Sequence, residues 1–179
     1  MSMIKQNLET IQSSIQSVCK NVGKEPGSIT LIAVTKTKPI EAMKEAIEWG
    51  ILHVGENKVQ EIVNKYELFH SSVYWHMIGH LQTNKVKMIV DKVALIHSVD
   101  SYKLAEKINE EARKIDKIQD ILIQVNIADE ETKFGVESRA TEALIREIAL
   151  LKNVKITGLM TIAPYVENPE DNRLVFRAL

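Results

Sequence analysis

Ile29-Thr-Leu-Ile-Ala-Val-Thr-Lys36-Thr-Lys38-Pro39 is the stretch whose reading decides the fold. β-Branched and aliphatic side chains run into a lysine, and a proline three residues later opens a helical pattern. A continuous apolar run of this kind predicts a strand buried on both faces, as in a parallel sheet. Lys36 then stands where a buried strand ends and a loop begins. In a parallel α/β barrel, that edge is where chemistry is done.

The remainder of the chain repeats the same alternation. Ile4, Leu8, Ile11, Ile15 and Val18 make a helical stripe over residues 3–22, which Gly23 stops. Pro39 starts a helix on Ala42, Met43, Ala46 and Ile47 that ends at Gly50. Short strands are predicted at 51–57, 73–81, 94–100, 120–127 and 154–163. Between them lie helices on Val59, Ile62, Val63 and Tyr66, around 85–90, on Leu104, Ala105, Ile108 and Ala112 with Ser101 as cap, and over 139–151. Pro169 begins one more.

Strictly alternating units of about 25 residues argue for a parallel sheet. A doubly wound sheet that held a dinucleotide would show a glycine-rich first turn. The first turn here, Thr35-Lys-Thr-Lys-Pro, has no glycine. The polar strand ends Lys36, Asn57, His80, Asp100 and Asn126 read instead as several strands feeding one mouth. The expectation is a (β/α)8 TIM-type barrel with an extra N-terminal helix, one domain over residues 1–179, truncated after about six units so that strands seven and eight are missing.

Bulk properties exclude several partners. Of 179 residues, 45% are hydrophobic and 26% charged, and the net charge of −1 comes from interleaved acids and bases, so neither nucleic acid nor a membrane surface is implied. The single cysteine, Cys19, excludes an internal disulfide and suits a reducing cytosol. The start is too polar for a signal peptide, and no apolar run approaches the roughly 20 residues needed to span a bilayer. A cytoplasmic protein is expected.

Lys36 has two readings. One is a solvated loop lysine. The other is an amine held against apolar walls and made nucleophilic toward a carbonyl, as in a Schiff base with pyridoxal phosphate (PLP). Lys38 is committed to the helix start by Pro39. His76 and His80 lie on a strand, about 13 Å apart at 3.3 Å per residue, too far to share one ion. Ligands drawn from different strands, His53, His97 and Asp100, are the remaining metal reading; hydrogen bonding inside the barrel is the other account of His76 and His97. Gly55-Glu-Asn57 is either a turn or a place where the Asn57 amide meets a ligand. Gly158-Leu-Met160 is either core or a place where a flat ring approaches the backbone. Glu130-Glu-Thr-Lys133-Phe-Gly135 reads as a charged loop.

Taken together, AVTKTKP (33–39), GENKVQE (55–61), WHMIGHLQTNK (75–85), HSVD (97–100), QVNIADEETKFG (124–135) and GLMTIAP (158–164) resemble one family in order and spacing. It is that of the PLP homeostasis proteins, the YggS/PROSC type, a barrel similar to the N-terminal domain of alanine racemase. The resemblance implies that Lys36 carries PLP as a Schiff base, that Asn57 and Met160 line the pocket, and that His80 and Asn126 are neighbours. It implies no catalytic residue and no metal, a role in balancing PLP and related B6 vitamers, and a monomer when full length. Family members continue with segments that grip the phosphate and face the pyridine nitrogen, so this chain is expected to hold the phosphate poorly.

The competing reading is a fold-type-III PLP enzyme such as an amino-acid racemase. Racemisation needs proton delivery on both faces of the ring, hence a second base besides the lysine. None can be placed from the sequence.

Overall fold

The computed structural model describes residues 2–70, 72–127 and 134–179. Residues 130–133 of the expected charged loop lie outside them. The strands are β1 (Ala33–Val34), β2 (His53–Glu56), β3 (Tyr74–Met77), β4 (Val93–Val99), β5 (Gln119–Asn126), β6 (Val136–Glu137) and β7 (Val154–Met160). The helices are α1 (Met3–Val22), α2 (Ile40–Glu48), α3 (Val59–Phe69), α4 (Tyr102–Lys114), α5 (Thr141–Ile148) and α6 (Arg173–Ala178). Every pairing is parallel: β1 through β5 follow chain order, and β7 pairs with β5 over Gln119–Gln124. β6, a strand the periodicity did not predict, pairs with the end of β5 at Val125 and Asn126. The expected short helix near 85–90 is a 3₁₀ segment, Thr83–Met88. Ser101 occupies the cap position of α4, but its hydroxyl makes no capping bond.

Right-handed crossovers between neighbouring parallel strands place successive helices on one face of the sheet. The strands divide accordingly with period two. Val54, Trp75, Met77, Ile96, Ile121 and Ile123 are buried against Met43, Ile62, Leu104, Ala105, Ile108 and Ile148 from the helices. Each such aliphatic burial stabilises by about 1.5–3 kcal/mol. His53, Leu95, His97, Leu122 and Met160, on the opposite face, are only half-buried.

The expectation that β1 is buried on both faces is therefore corrected. Only Ala33 and Val34 form ladder, and Val34 is 48% exposed. Among the described residues β1 pairs with β2 alone, so one edge and one face lack cover.

Two glycines let strand ends approach. A Cβ at Gly79 would sit 2.3 Å from the Asn57 carbonyl oxygen, which locks the end of β3 against the end of β2. Gly135 has φ +130°, and a Cβ there would sit 2.7 Å from the Asn126 backbone nitrogen. Gly79→Ala must push backbone atoms apart and is expected to cost about 1–3 kcal/mol in urea unfolding, the usual range for overpacking. Gly27→Ala, where nothing lies within 4 Å, is expected to be near neutral.

Candidate functional site

Because all strands run parallel, their C-terminal ends share one edge. Lys36 follows β1, Asn57 follows β2, His80 lies beyond β3, Asp100 follows β4, and Asn126 and Met160 end β5 and β7. The strand ends expected to feed one mouth are on the same side of the sheet. Lys36 is exposed, while Asn57, Asn126 and Met160 are half-buried. The apolar walls expected around Lys36 are thus not supplied by the described residues, because β1 is an edge strand.

The turn that carries Lys36 is tightly held. Lys38 N–H donates to the Thr35 carbonyl at 3.1 Å, and the Thr35 N–H donates to the Gly55 carbonyl at 3.0 Å. Thr37 has φ 60°, left-handed for a β-branched residue, at a cost of about 1–2 kcal/mol. Its N–H donates to a Glu61 carboxylate oxygen at 2.9 Å. On the other side of Lys36, the Thr35 hydroxyl donates to Glu56 at 2.7 Å. Lys65 links both carboxylates, donating to Glu56 at 2.7 Å, Glu61 at 3.1 Å and the Thr35 carbonyl at 2.9 Å.

Glu56 is fully buried and Lys65 is 9% exposed. Burial raises the Glu56 carboxyl above its ordinary value, against the hydrogen bonds from Lys65 and Thr35 that pull it down. Glu61 is held below its ordinary value, chiefly by the Thr37 N–H. Glu61 and Lys65 stand four residues apart on α3, one turn above each other, so a single helix face delivers both ends of the clamp. No apolar period marks this trio. The signal available was the Glu61…Lys65 spacing just after the Gly55-Glu56-Asn57 motif.

A second wall forms at β3–β5. The buried Gln124 amide donates to the Phe134 carbonyl at 3.0 Å, and the Phe134 ring stacks on His80 with centroids 4.1 Å apart and planes 15° off parallel. His80 Nδ1 lies 3.8 Å from an Asp100 carboxylate oxygen. Phe134 had no assigned role in the sequence, since nothing in its neighbours foretells a ring partner 54 positions away.

Deeper on the same face, His53, His76 and His97 form a row across β2, β3 and β4. His53 Nδ1 and His76 Nε2 are 2.9 Å apart, as are His76 Nδ1 and His97 Nε2. His76 turns one ring nitrogen to each neighbour, so the three do not converge on a point. Hydrogen bonding inside the sheet accounts for His76 and His97. Among the described residues no three His, Cys, Asp or Glu side chains are placed to hold a metal ion.

At Gly158 an added Cβ would meet nothing closer than the Leu122 Cδ2 at 3.4 Å, an ordinary contact. Packing within the chain does not demand that glycine. It leaves open a flat strip of backbone two residues before Met160.

Comparison with known proteins fits this geometry. Residues 5–178 match the family described as alanine racemase, N-terminal domain. A pyridoxal phosphate homeostasis protein of Aquifex aeolicus is 45% identical over 175 residues, covering 97% of this chain and 77% of the relative. A solved structure of an unknown protein from Bifidobacterium adolescentis superposes with a TM-score of 0.91 at 31% identity, covering 98% of this chain and 76% of that one. PipY of Synechococcus elongatus, solved with PLP bound, gives a TM-score of 0.77 at 32% identity, covering 90% of this chain and 76% of PipY. Fold and site thus define a parallel α/β protein of the alanine racemase N-terminal class. Within that class the chain belongs to the pyridoxal phosphate homeostasis protein family.

The imidazole row sets a pH dependence. Burial pushes His76 and His97 down to about 4 from 6.5, with both neighbouring imidazoles adding to the effect at His76. Between about 4 and 6.5 the unfolded chain binds more protons than the folded one, so stability falls as pH drops through that window. Urea midpoints at several pH values are expected to fall less steeply for His76→Gln than for the unsubstituted chain. Equal slopes would contradict the assignment.

Proposed function

We propose that this chain binds PLP in the service of intracellular PLP homeostasis, with Lys36 as the covalent anchor. The observation that carries the reading is the Lys36 turn: an exposed amine on a backbone fixed from both sides, at the edge it shares with Asn57 and Met160. The PLP-bound relative and the homeostasis proteins among the relatives support the cofactor and the role.

The residues present suit the group. The Lys36 amine would hold PLP by condensing with its aldehyde as a Schiff base with loss of one water, and bound PLP would supply an electron sink at its ring. Asn57 offers both a donor and an acceptor to polar ring substituents, with its backbone set by Gly79. Gly158 and Met160 give the ring an open strip and a polarisable thioether to rest on. No residue is assigned to deliver a proton to the face opposite Lys36, so the role is carriage of the cofactor in the cytoplasm without turnover, in place of racemisation.

Mixing the chain with PLP is expected to give an absorbance band distinct from free PLP. Lys36→Ala should abolish it, and Asn57→Ala should weaken PLP binding about tenfold, the value of one hydrogen bond. Turnover of alanine or another amino acid by the loaded chain would overturn the carrier reading. Loss of no signal in Lys36→Ala would overturn the anchor.

A further inference from the structure

We propose that Lys65, with Glu56 and Glu61, is a positioning device for Lys36: the trio clamps Thr35 and Thr37 on either side and so fixes the backbone from which the Lys36 amine works. The inference rests on the reading of Lys36 as the PLP anchor and goes beyond it by assigning three residues that act on Lys36 through its chain neighbours Thr35 and Thr37.

Three hydrogen-bonding groups of the turn find partners in the trio. The Thr35 carbonyl receives Lys65, the Thr35 hydroxyl reaches Glu56, and the Thr37 N–H reaches Glu61. A left-handed threonine persists only where its surroundings over-determine it, and such strain gathers where a reacting group must be held. Here Glu61 supplies the restraint at Thr37.

The chemistry of the trio supports specificity over stability. The Glu56 carboxyl and the Lys65 ammonium are withdrawn from water, Glu61 is half-buried beside them, and the Glu56 Oε2 is buried without a hydrogen-bond partner among the described residues. Apolar residues of similar volume at such a site are often neutral or stabilising, so a core built for stability alone has no need of these charges. What apolar side chains cannot do is accept from Thr37 N–H and donate to Thr35 C=O at once. The trio also belongs wholly to β2 and α3, whereas the turn it holds joins β1 to α2. One βα unit therefore sets the active backbone of its neighbour.

Glu61 gives the cleanest test, because its side chain is 21% exposed and its loss leaves the Lys65–Glu56 pair intact. Glu61→Ala is expected to speed hydrogen exchange of the Thr37 amide and PLP release by about tenfold or more, the worth of a hydrogen bond to a charged group. It should also shift the pH midpoint of the lysine-bound PLP absorbance. Glu61→Gln, whose amide oxygen still accepts from Thr37, should restore most of the Thr37 protection and the slow PLP release. Lys65→Met is expected to be more severe, and its folding can be checked by circular dichroism.

If Glu61→Ala releases PLP at the unsubstituted rate with an unchanged pH midpoint, the positioning role is overturned, whatever happens to the unfolding midpoint. If the unsubstituted chain takes up no PLP on Lys36, the anchor reading fails separately. Thr37 exchange in Glu61→Ala then decides the clamp alone: unchanged exchange overturns it, and faster exchange reversed in Glu61→Gln upholds it.

Discussion

A single ammonium group, Lys65 Nζ, ties together the pieces on which the site depends. It reaches the last residue of β2, the first turn of α3 and the carbonyl before Lys36, all within 3.1 Å. Removing such a charge from water is costly, and removing one partner alone would leave Glu56 buried and uncompensated. The arrangement makes sense as a constraint on shape. It holds the turn that follows β1, a two-residue strand paired with β2.

The two faces of the sheet divide the labour. On the helix side, isoleucine, methionine and tryptophan from the strands pack to near-zero exposure. The opposite face mixes imidazoles and the Gln124 amide with Leu95, Leu122 and Met160 and is less fully buried. His53, His76 and His97 hydrogen-bond to one another in a row there, below the strand ends. Phe134, anchored through its carbonyl by Gln124, closes one side of that edge by lying flat on His80.

Much of this was legible in the sequence. Helical stripes and short apolar runs located six of the seven described strands and the long helices, because each element buries apolar side chains that are contiguous or periodic in sequence. The polar residue closing each apolar run marked the C-terminal edge of the sheet, since parallel strands bring all such ends together. What failed did so for identifiable reasons. The apolar run at 29–35 was read as fully buried, yet burial depends on how many neighbours a strand has, and β1 has one among the described residues. β6 is two residues long, too short for any period. Ser101 has the residue type of a cap but not the bond. The Glu56–Lys65–Glu61 trio, the left-handed Thr37 and the close approach at Gly79 depend on contacts between units, which no local pattern encodes.

Borohydride reduction of the PLP-treated chain, followed by peptide mapping, tests the role of Lys36 most directly. Reduction fixes the cofactor to whichever amine holds it. The label is expected on the peptide containing Lys36 and absent from those containing Lys38 and Lys65. A label on another lysine, or none, would contradict the account.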